Sequence, residues 1–305
     1  MNYQNNLEFA RQLDAKDPLK QFRQKFFIPQ HNGEDAVYFT GNSLGLQPKT
    51  AAAYVQQELD DWARLGVEGH FAAKNPWVSY HEIFPNQLSG ILGCRPMEVV
   101  VMNQLTVNLH LLMVTFYRPT AERFKIICEA KAFPSDQYAL ASQAAFHGFD
   151  PAEAIIEVAP RAGEHTLRTE DILSIIEKHG QSTALVLFGA VNYYTGQYYE
   201  LEKITKGAHA AGAYAGFDLA HAAGNVELKL HDWDIDFACW CSYKYLNSGP
   251  GGVAGVYIHE KHARNTKLPR FAGWWGHNKE SRFRMDRKFD VMPTAEGWQL
   301  SNAPI

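Results

Sequence analysis

The sequence contains few cysteines: four in 305 residues, namely Cys94, Cys128, Cys239 and Cys241. So few thiols, two of them only two positions apart, argue against a disulfide framework, and we expect a reducing, cytoplasmic setting. Cys239 and Cys241 resemble half of a metal site, but alternation along a strand points both side chains into a core. No other His/Cys pair has metal-ligand spacing, so we predict no metal.

The sequence also lacks a long apolar run. The stretch ALVLFGAV (184–191) is among the longest, whereas a membrane span needs about 18 apolar residues. The polar N-terminus has none of the basic-then-apolar pattern of a secretory signal. The net charge is −4 with both signs spread along the chain, and no Lys/Arg-rich stretch indicates a nucleic-acid surface. We therefore predict a soluble protein with neither a membrane nor a nucleic-acid partner.

What the sequence does contain, from about residue 98, is an alternation of apolar and helical segments. Strands are predicted at 98–102, 124–130, 154–160, 183–191, 213–220 and 235–243, and helices at 105–117, 137–147, 170–180 and 201–212. Thr169 is predicted to cap the third of these helices, which ends at Gly180. Continuous apolar strands between helices predict an α/β core, from about residue 70 to 265, with a mostly parallel sheet covered on both faces. The first 65 residues are predicted to form a helical arm that includes the loop GNSLG (41–45) and most of a helix over 48–66.

Polar residues follow several of these strands, at the edge where ligands collect in open α/β sheets. Leu105 and Thr106 open a helix whose N–H groups suit a phosphate, although a simple N-cap is the more common arrangement. The run Phe133-Pro134-Ser135-Asp136 offers an aromatic face beside a helix start. The alternative is a loop Phe that covers the core, with Ser135 or Asp136 as the cap.

Two charged residues end strands that are otherwise apolar. Asp218 ends AYAGFD, where a carboxylate needs a charged or donor partner. Such a partner could be the pyridinium N–H of pyridoxal phosphate (PLP), a metal, a substrate amine or an internal arginine. Lys244 follows the last predicted strand, just before the glycine-rich run 249–252, and desolvation at such a place favours the neutral amine that a Schiff base requires. Together these features favour a PLP site.

The sequence resembles the kynureninases, PLP enzymes with the aspartate-aminotransferase-like fold, over nearly its whole length. The resemblance is carried by YFTGNSLGLQP (38–48), LTVNLHLLM (105–113), FPSDQYA (133–139), YYTGQ (193–197), the segment 216–252 with FDLAH and CWCSYKYLN, GWWGH (273–277) and SNAPI (301–305). It implies a PLP-binding large domain over 66–305, after the arm of 1–65, with a seven-stranded sheet. It also implies a hydrolase of tryptophan catabolism that splits kynurenine, 3-hydroxykynurenine or both, giving anthranilate or 3-hydroxyanthranilate and alanine.

The resemblance also implies roles for individual residues. Lys244 would hold the cofactor and move the α-proton, while Asp218 would keep the ring nitrogen protonated. The other implied cofactor contacts are Leu105, Thr106, Phe133, Pro134, Ser135, Asp136, His221 and Tyr243. Trp274 and Asn302 match positions that reach the cofactor of the neighbouring subunit of a homodimer, and His70, Trp240 and Ser301 match substrate contacts.

The sequence departs from the family pattern at two places. Gly189 stands where other members carry a hydroxyl residue, which leaves Asn192 or a water as the substitute contact. The family also continues into a small domain that supplies an arginine for the substrate carboxylate, and the 305 residues do not include it. Two rival functions are therefore kept: a cysteine-desulfurase-like lyase, which needs a reactive cysteine on a mobile loop, and a truncated, non-catalytic dimer partner.

Overall fold

The computed structural model describes residues 3–304, so Ile305, the last residue of the SNAPI motif, lies outside it. Nine strands are present in that range: β1 (Gln30–His31), β2 (Glu34–Asp35), β3 (Val99–Val101), β4 (Lys125–Glu129), β5 (Ile155–Val158), β6 (Thr183–Gly189), β7 (Tyr214–Asp218), β8 (Phe237–Trp240) and β9 (Gly255–Ile258). The strands β1 and β2 form a small separate hairpin, and the other seven form one sheet in the order β3-β9-β8-β7-β6-β4-β5.

The α-helices of the described range are α1 (Leu7–Lys16), α2 (Ala51–Leu65), α3 (Gly69–Ala72), α4 (Pro85–Leu92), α5 (Leu105–Phe116), α6 (Pro134–Phe146), α7 (Pro151–Ala154), α8 (Thr169–His179), α9 (Leu201–Ala210) and α10 (Glu260–Ala263). Short 3₁₀ helices lie at Lys20–Lys25, Gly66–Glu68, Tyr80–Ile83, Pro96–Glu98, Gly180–Ser182, Trp274–Gly276, Arg282–Arg284 and Ala295–Trp298. None of the helices described is long and apolar enough to cross a bilayer.

The sheet is mostly parallel, which confirms the predicted fold class. Strands β8, β7, β6, β4 and β5 pair in parallel, and β9 is antiparallel to both of its neighbours. Alternate residues of each strand face opposite sides, as Val186 and Phe188 do against Leu185 and Leu187. One side packs on α4, α8 and α9 and the other on α5 and α6. Burial on both faces explains why most strand residues are apolar.

Two predictions about these elements need correction. Thr169 is the first residue of α8 rather than its cap. Arg168 occupies the N-cap position, and its side chain makes no capping hydrogen bond. Strand β9 was not among the six strands predicted from apolar runs. This strand has four residues and follows the glycine-rich run 249–252. Its apolar segment is therefore too short to be told from a loop by sequence pattern.

Asp236 precedes β8 and links the start of that strand to α9 and α10. Its carboxylate accepts hydrogen bonds from His209 Nε2 (2.8 Å), His262 Nε2 (2.7 Å) and the Ala215 N–H (2.7 Å). Burial alone would raise the pKa of Asp236, but the hydrogen bonds from His209, His262 and Ala215 hold it well below its ordinary value. The ionised form is therefore the one that the fold stabilises.

Asp236→Asn is expected to lower the free energy of unfolding by about 3 kcal/mol at pH 7, since one member of a buried charge network is neutralised. The pKa of Asp236 is lowered on folding, so its contribution is complete above about pH 4 and is lost as the pH falls below that. Urea denaturation at pH 7 and at about pH 2 measures both effects. Asp234→Asn is the matched control, because this carboxylate is 55% exposed and its ion pairs should contribute less than about 1 kcal/mol. Equal losses in the two variants would contradict the argument.

Candidate active site

A cavity opens where the parallel strands β4, β6, β7 and β8 end, the edge at which the sequence predicts a ligand. The structure brings nine of the predicted cofactor residues to its wall: Leu105, Thr106, Phe133, Ser135, Asp136, Asp218, His221, Tyr243 and Lys244. These nine residues lie between positions 105 and 244 of the sequence, so the fold brings together segments that are far apart along the chain. Pro134, the tenth of those expected to serve the site of their own chain, is the first residue of α6 and does not line the cavity.

Lys244 is held in a turn that follows β8. The loop GNSLG lies against this turn, because the Gly45 N–H donates to the Tyr243 carbonyl (2.8 Å) and Asn247 Nδ2 donates to the Leu46 carbonyl (2.9 Å). A Cβ atom at Gly45 would lie 2.3 Å from the Lys244 carbonyl oxygen. Glycine is therefore required at residue 45 for the loop to support the lysine.

The amine of Lys244 has a polar and an aromatic neighbour. Its Nζ lies 3.0 Å from His221 Nε2 and 5.9 Å from the centroid of the Phe133 ring. Burial, and then the charge of Lys244, lower the pKa of His221 to about 4. The imidazole is therefore neutral at pH 7 and can accept a hydrogen bond from the lysine.

Two of the buried carboxyl groups that line the cavity belong to predicted residues, Asp136 and Asp218. Asp218 ends β7, is 7% exposed and accepts a hydrogen bond from the Ala220 N–H (2.7 Å). Asp136 on α6 is 4% exposed, and its Oδ1 has no hydrogen-bond partner in the described chain. Burial raises the pKa of Asp218, and burial together with the charge of Asp218 raises the pKa of Asp136. A ligand that brings a positive N–H donor would relieve both groups.

The N-terminus of α5 borders the same cavity. Gln104 is the N-cap, but it makes no capping bond, and its side chain donates instead to the Gly251 carbonyl (3.0 Å). Thr106 is the second residue of the helix, so the alternative that it is only an N-cap is wrong. The first turn of a 12-residue helix therefore presents uncapped N–H groups, which suit a phosphate.

Phe133 is the N-cap residue of α6, and Ser135 and Asp136 lie within the first turn, so neither is the cap. The ring of Phe133 is 49% exposed and contacts Tyr193 edge to face at 5.3 Å. A ring that is half exposed beside Lys244 does not serve the core, and the alternative of a core-covering Phe is wrong. Its free face is available to a planar ligand.

The remaining predicted residues do not line this cavity. His70 on α3 contacts Trp77 edge to face at 5.6 Å, and Ser301 and Asn302 are exposed. Trp274 is 41% exposed, and its Nε1 donates to the Arg282 carbonyl (3.2 Å). Trp240 is fully buried on the α8 and α9 side of the sheet. The prediction that Trp240 contacts the substrate conflicts with this position, because strand alternation points the indole into the core.

Glu129 is the acidic residue of the cavity wall that the sequence analysis missed. It ends β4, is 4% exposed, and both carboxylate oxygens accept from the Gly189 N–H (3.0 and 3.2 Å). The signal was available, since Glu129 ends an apolar strand as Asp218 does. Asn192, the suggested substitute at Gly189, instead accepts hydrogen bonds from the N–H groups of Tyr194 and Thr195 and does not line the cavity.

The residues present fit PLP. A carboxyl pair with an unpartnered oxygen suits its ring N–H, an uncapped helix start suits its phosphate, and an exposed phenyl face suits its ring. The primary amine that such a cofactor requires, that of Lys244, stands among them.

Comparisons with known proteins agree with this reading of the cavity. Residues 37–281 match the family model described as aminotransferase class-V. A kynureninase of Flavobacterium psychrophilum is 62% identical over all of this chain and 72% of its own length, and one of Myxococcus xanthus is 60% identical over 99% and 71%. A kynureninase of Rattus norvegicus is 51% identical over 97% of this chain and 66% of its own length.

Solved structures show the same fold at much lower identity. The apo cysteine desulfurase of Thermococcus onnurineus NA1 superposes with a TM-score of 0.68 at 19% identity, covering 99% of this chain and 68% of its own. A cystine C–S lyase in complex with cysteine persulfide has a TM-score of 0.70 at 17% identity, covering 87% and 67%. With identities of 50–62% to kynureninases along the whole sequence, the chain belongs to the kynureninases, PLP-dependent hydrolases of the class-V aminotransferase family.

Proposed function

We propose that this chain hydrolyses L-kynurenine to anthranilate and L-alanine at the cavity around Lys244. The observation that carries the proposal is the convergence of the Lys244 amine, the Asp218 carboxyl group and the exposed Phe133 ring on one cavity, in a chain with this family membership. PLP is planar and has a basic ring nitrogen and an aldehyde. It therefore needs a carboxyl group, an amine and an apolar ring face within a single cavity.

Each of these groups then has a distinct task. Lys244 would hold the cofactor, and its amine, once freed, would take a proton from the α-carbon of the substrate and return one at the end. Asp218 would accept a hydrogen bond from the ring N–H, and Phe133 would cover one ring face. The phosphate would be held by the N-terminus of α5 and by nearby hydroxyl groups, through Leu105, Thr106, Ser135 and Tyr243.

PLP, when bound, supplies an electron-accepting ring that stabilises negative charge at the α-carbon of an amino acid. The chain's own residues then move protons and exclude solvent. Neutral His221, 3.0 Å from Lys244 Nζ, orients the lysine without competing for its protons at neutral pH. Overall, one water adds to the γ-carbonyl carbon of kynurenine, the Cβ–Cγ bond breaks, and the side chain leaves as anthranilate.

A cysteine-desulfurase-like reaction is the rival within the same fold. It needs a thiolate that reaches the substrate. Burial raises the pKa of all four thiols, those of Cys94, Cys128, Cys239 and Cys241. Three of the four are buried, and Cys241, the one that borders the cavity, is 3% exposed. These thiols are poor nucleophiles, so kynurenine hydrolysis is the better-supported function.

The PLP-loaded chain is expected to release anthranilate and alanine in equal amounts from L-kynurenine, measured by anthranilate fluorescence and amino-acid analysis. Parallel reactions with 3-hydroxykynurenine and L-cysteine use the same protein. A faster reaction with 3-hydroxykynurenine would reassign the preferred substrate. Alanine and sulfane sulfur from cysteine, without anthranilate from kynurenine, would favour the desulfurase. A chain that holds PLP on Lys244 but turns over none of the three would be the non-catalytic partner.

We further propose that the protein is a homodimer in which Trp274 and Asn302 reach the neighbouring site. Both side chains are exposed and stand outside the chain's own cavity. The α2 surface also exposes Tyr54, Val55, Leu59 and Trp62 to between 48% and 70%, which is unusual for a monomer.

The dimer predicts complementation between two inactive variants. Mixing Lys244→Ala chains with Trp274→Ala chains, after dissociation and reassociation, should restore about a quarter of the wild-type sites, because half of the dimers are mixed and each has one complete site. Turnover and sedimentation measure the outcome. A chain that sediments as a monomer with full cofactor occupancy, or a mixture no more active than its parents, would rule the shared site out.

A further inference from the structure

The carboxyl group of Glu129 is incompletely satisfied although it lies in the interior of the protein. A carboxyl group has about four acceptor positions when ionised, and when protonated it also has an O–H donor that needs an acceptor. Here the Gly189 N–H is shared between the two oxygens at 3.0 and 3.2 Å. Among residues 3–304, neither oxygen has a cationic partner. The side chain is 4% exposed and lines the same cavity as Lys244. A buried polar group in this condition indicates a missing partner.

The position of the carboxyl group is set by Gly189. A Cβ atom on residue 189 would lie 2.9 Å from Glu129 Oε1, closer than side-chain atoms normally approach. The Glu129 carboxyl therefore occupies the space in which a side chain at the end of β6 would stand. Gly189 pairs with Asp218 on the neighbouring strand, so this space is beside the group proposed to bind the cofactor ring.

We propose that Glu129 is a further cofactor-binding residue, which donates a hydrogen bond from its protonated carboxyl group to an anionic oxygen of PLP in this cavity. The inference rests on the proposed function in one respect, that PLP occupies the cavity around Lys244. It adds β4 to α5, α6 and β7 as elements that contribute residues to the site.

The surroundings of Glu129 favour the protonated form. Burial raises the pKa of its carboxyl group to about 7, and the charge of Asp218 adds to this, while the N–H groups of Gly189 and of Glu129 itself oppose it. The titratable groups that interact with it are Asp218 on β7, Asp136 on α6, Tyr199 after β6 and Cys128 on β4. None of these groups is cationic. An anionic cofactor would raise this pKa further, so binding should be accompanied by uptake of a proton.

The experiment compares the PLP affinity of the wild-type chain and of Glu129→Gln from pH 6 to pH 9, by titration of the cofactor-free protein and equilibrium dialysis. Glutamine has the size of glutamate, an oxygen that can accept from the Gly189 N–H and an N–H group that can donate to the cofactor. Unlike glutamate, it does not ionise. The ratio of wild-type Kd to variant Kd is expected to rise about tenfold between pH 6.5 and pH 8.5, since one proton must be taken up by the wild-type protein alone. Ionisations of PLP itself cancel in this ratio.

Glu129→Leu removes the donor, so its Kd for PLP should be at least about tenfold weaker than that of the wild type at pH 6.5. Glu157→Gln, an exposed glutamate on the neighbouring strand β5, is the matched control and should follow the wild type at every pH. A ratio that is flat or falls with pH would overturn the proposal, and the Glu129→Gln series decides it alone if Glu129→Leu does not fold. Because the readout is cofactor affinity, a failure to hydrolyse kynurenine would leave this result standing.

Discussion

Lys244→Ala is expected to abolish covalent attachment of PLP and to lower kynurenine turnover by about a thousandfold or more. The lysine both holds the cofactor and transfers the α-proton, and general acid–base catalysis alone contributes about 10²- to 10⁴-fold. Borohydride reduction followed by peptide mass spectrometry measures the attachment, and anthranilate fluorescence measures the turnover. The fold should persist, because the lost contacts are the hydrogen bond to His221 and the position of the amine over the Phe133 ring. We expect a change in the free energy of unfolding of less than about 1 kcal/mol.

The control for this prediction is Lys229→Ala, a lysine whose side chain is 53% exposed and pairs with Glu227. It should retain the adduct and the activity of the wild type. If Lys244→Ala still forms a borohydride-stable adduct with wild-type stoichiometry, another lysine anchors the cofactor and the assignment of the cavity is wrong. Loss of the adduct together with loss of the folded state would be recognised by circular dichroism.

Much of the fold was predictable because the strands are buried on both faces. The strand Thr183–Gly189 is almost entirely apolar and buried. It has no polar residues facing solvent, so its sequence is not mistaken for that of a loop. The polar residues at the strand ends, Asp218 and Lys244, stood out for the same reason. The family motifs then added Phe133 and the start of α5, whose residue types alone equally suit a core and a cap.

The errors have physical causes of the same kind. Trp240 was assigned to the substrate although it alternates with Cys239 and Cys241, the latter of which lines the cavity. Neighbouring residues on a strand face opposite ways, so Trp240 belongs to the core. Glu129 ends an apolar strand as Asp218 does, so a charged residue at the end of every buried strand, and not only at the end of β7, is a candidate site residue. The space that Gly189 leaves for Glu129 depends on strand pairing, which no single segment of sequence encodes.

Asp218→Asn is expected to have opposite effects on cofactor use and on the stability of the cofactor-free protein. A neutral amide cannot compensate the positive charge of a protonated ring nitrogen. Removing one partner of a buried charge pair costs about 3–5 kcal/mol, which corresponds to a loss in kcat/KM of about 10²- to 10³-fold or more. PLP should also bind more weakly. Kinetics with L-kynurenine and dialysis of PLP measure the two losses.

The cofactor-free protein should respond in the other direction. Burial raises the pKa of Asp218 in the folded state, so ionising this carboxyl group disfavours folding. The sign follows from linkage: an acid with a raised folded pKa leaves stability unchanged below its unfolded pKa and lowers stability as the pH rises through the folded value. Asparagine removes that loss, keeps an acceptor for the Ala220 N–H (2.7 Å in the wild type) and can donate to Asp136. At pH 8 the cofactor-free variant should therefore be more stable than the wild type by about 1 kcal/mol.

Urea denaturation with and without PLP distinguishes this account from a structural role for Asp218. If Asp218 served the fold, Asp218→Asn would lower stability in both conditions. If it serves the cofactor, the variant gains stability without PLP and benefits less than the wild type when PLP is added, because the ligand's stabilisation follows its affinity. Asp232→Asn, at an exposed aspartate in the segment before β8 and outside the cavity, should change neither. A cofactor-free Asp218→Asn protein that is less stable than the wild type, or turnover within tenfold of the wild type, would contradict the assignment. A residue that lowers the stability of the cofactor-free protein but raises that of the PLP-bound protein is expected where a group is retained for its role in catalysis.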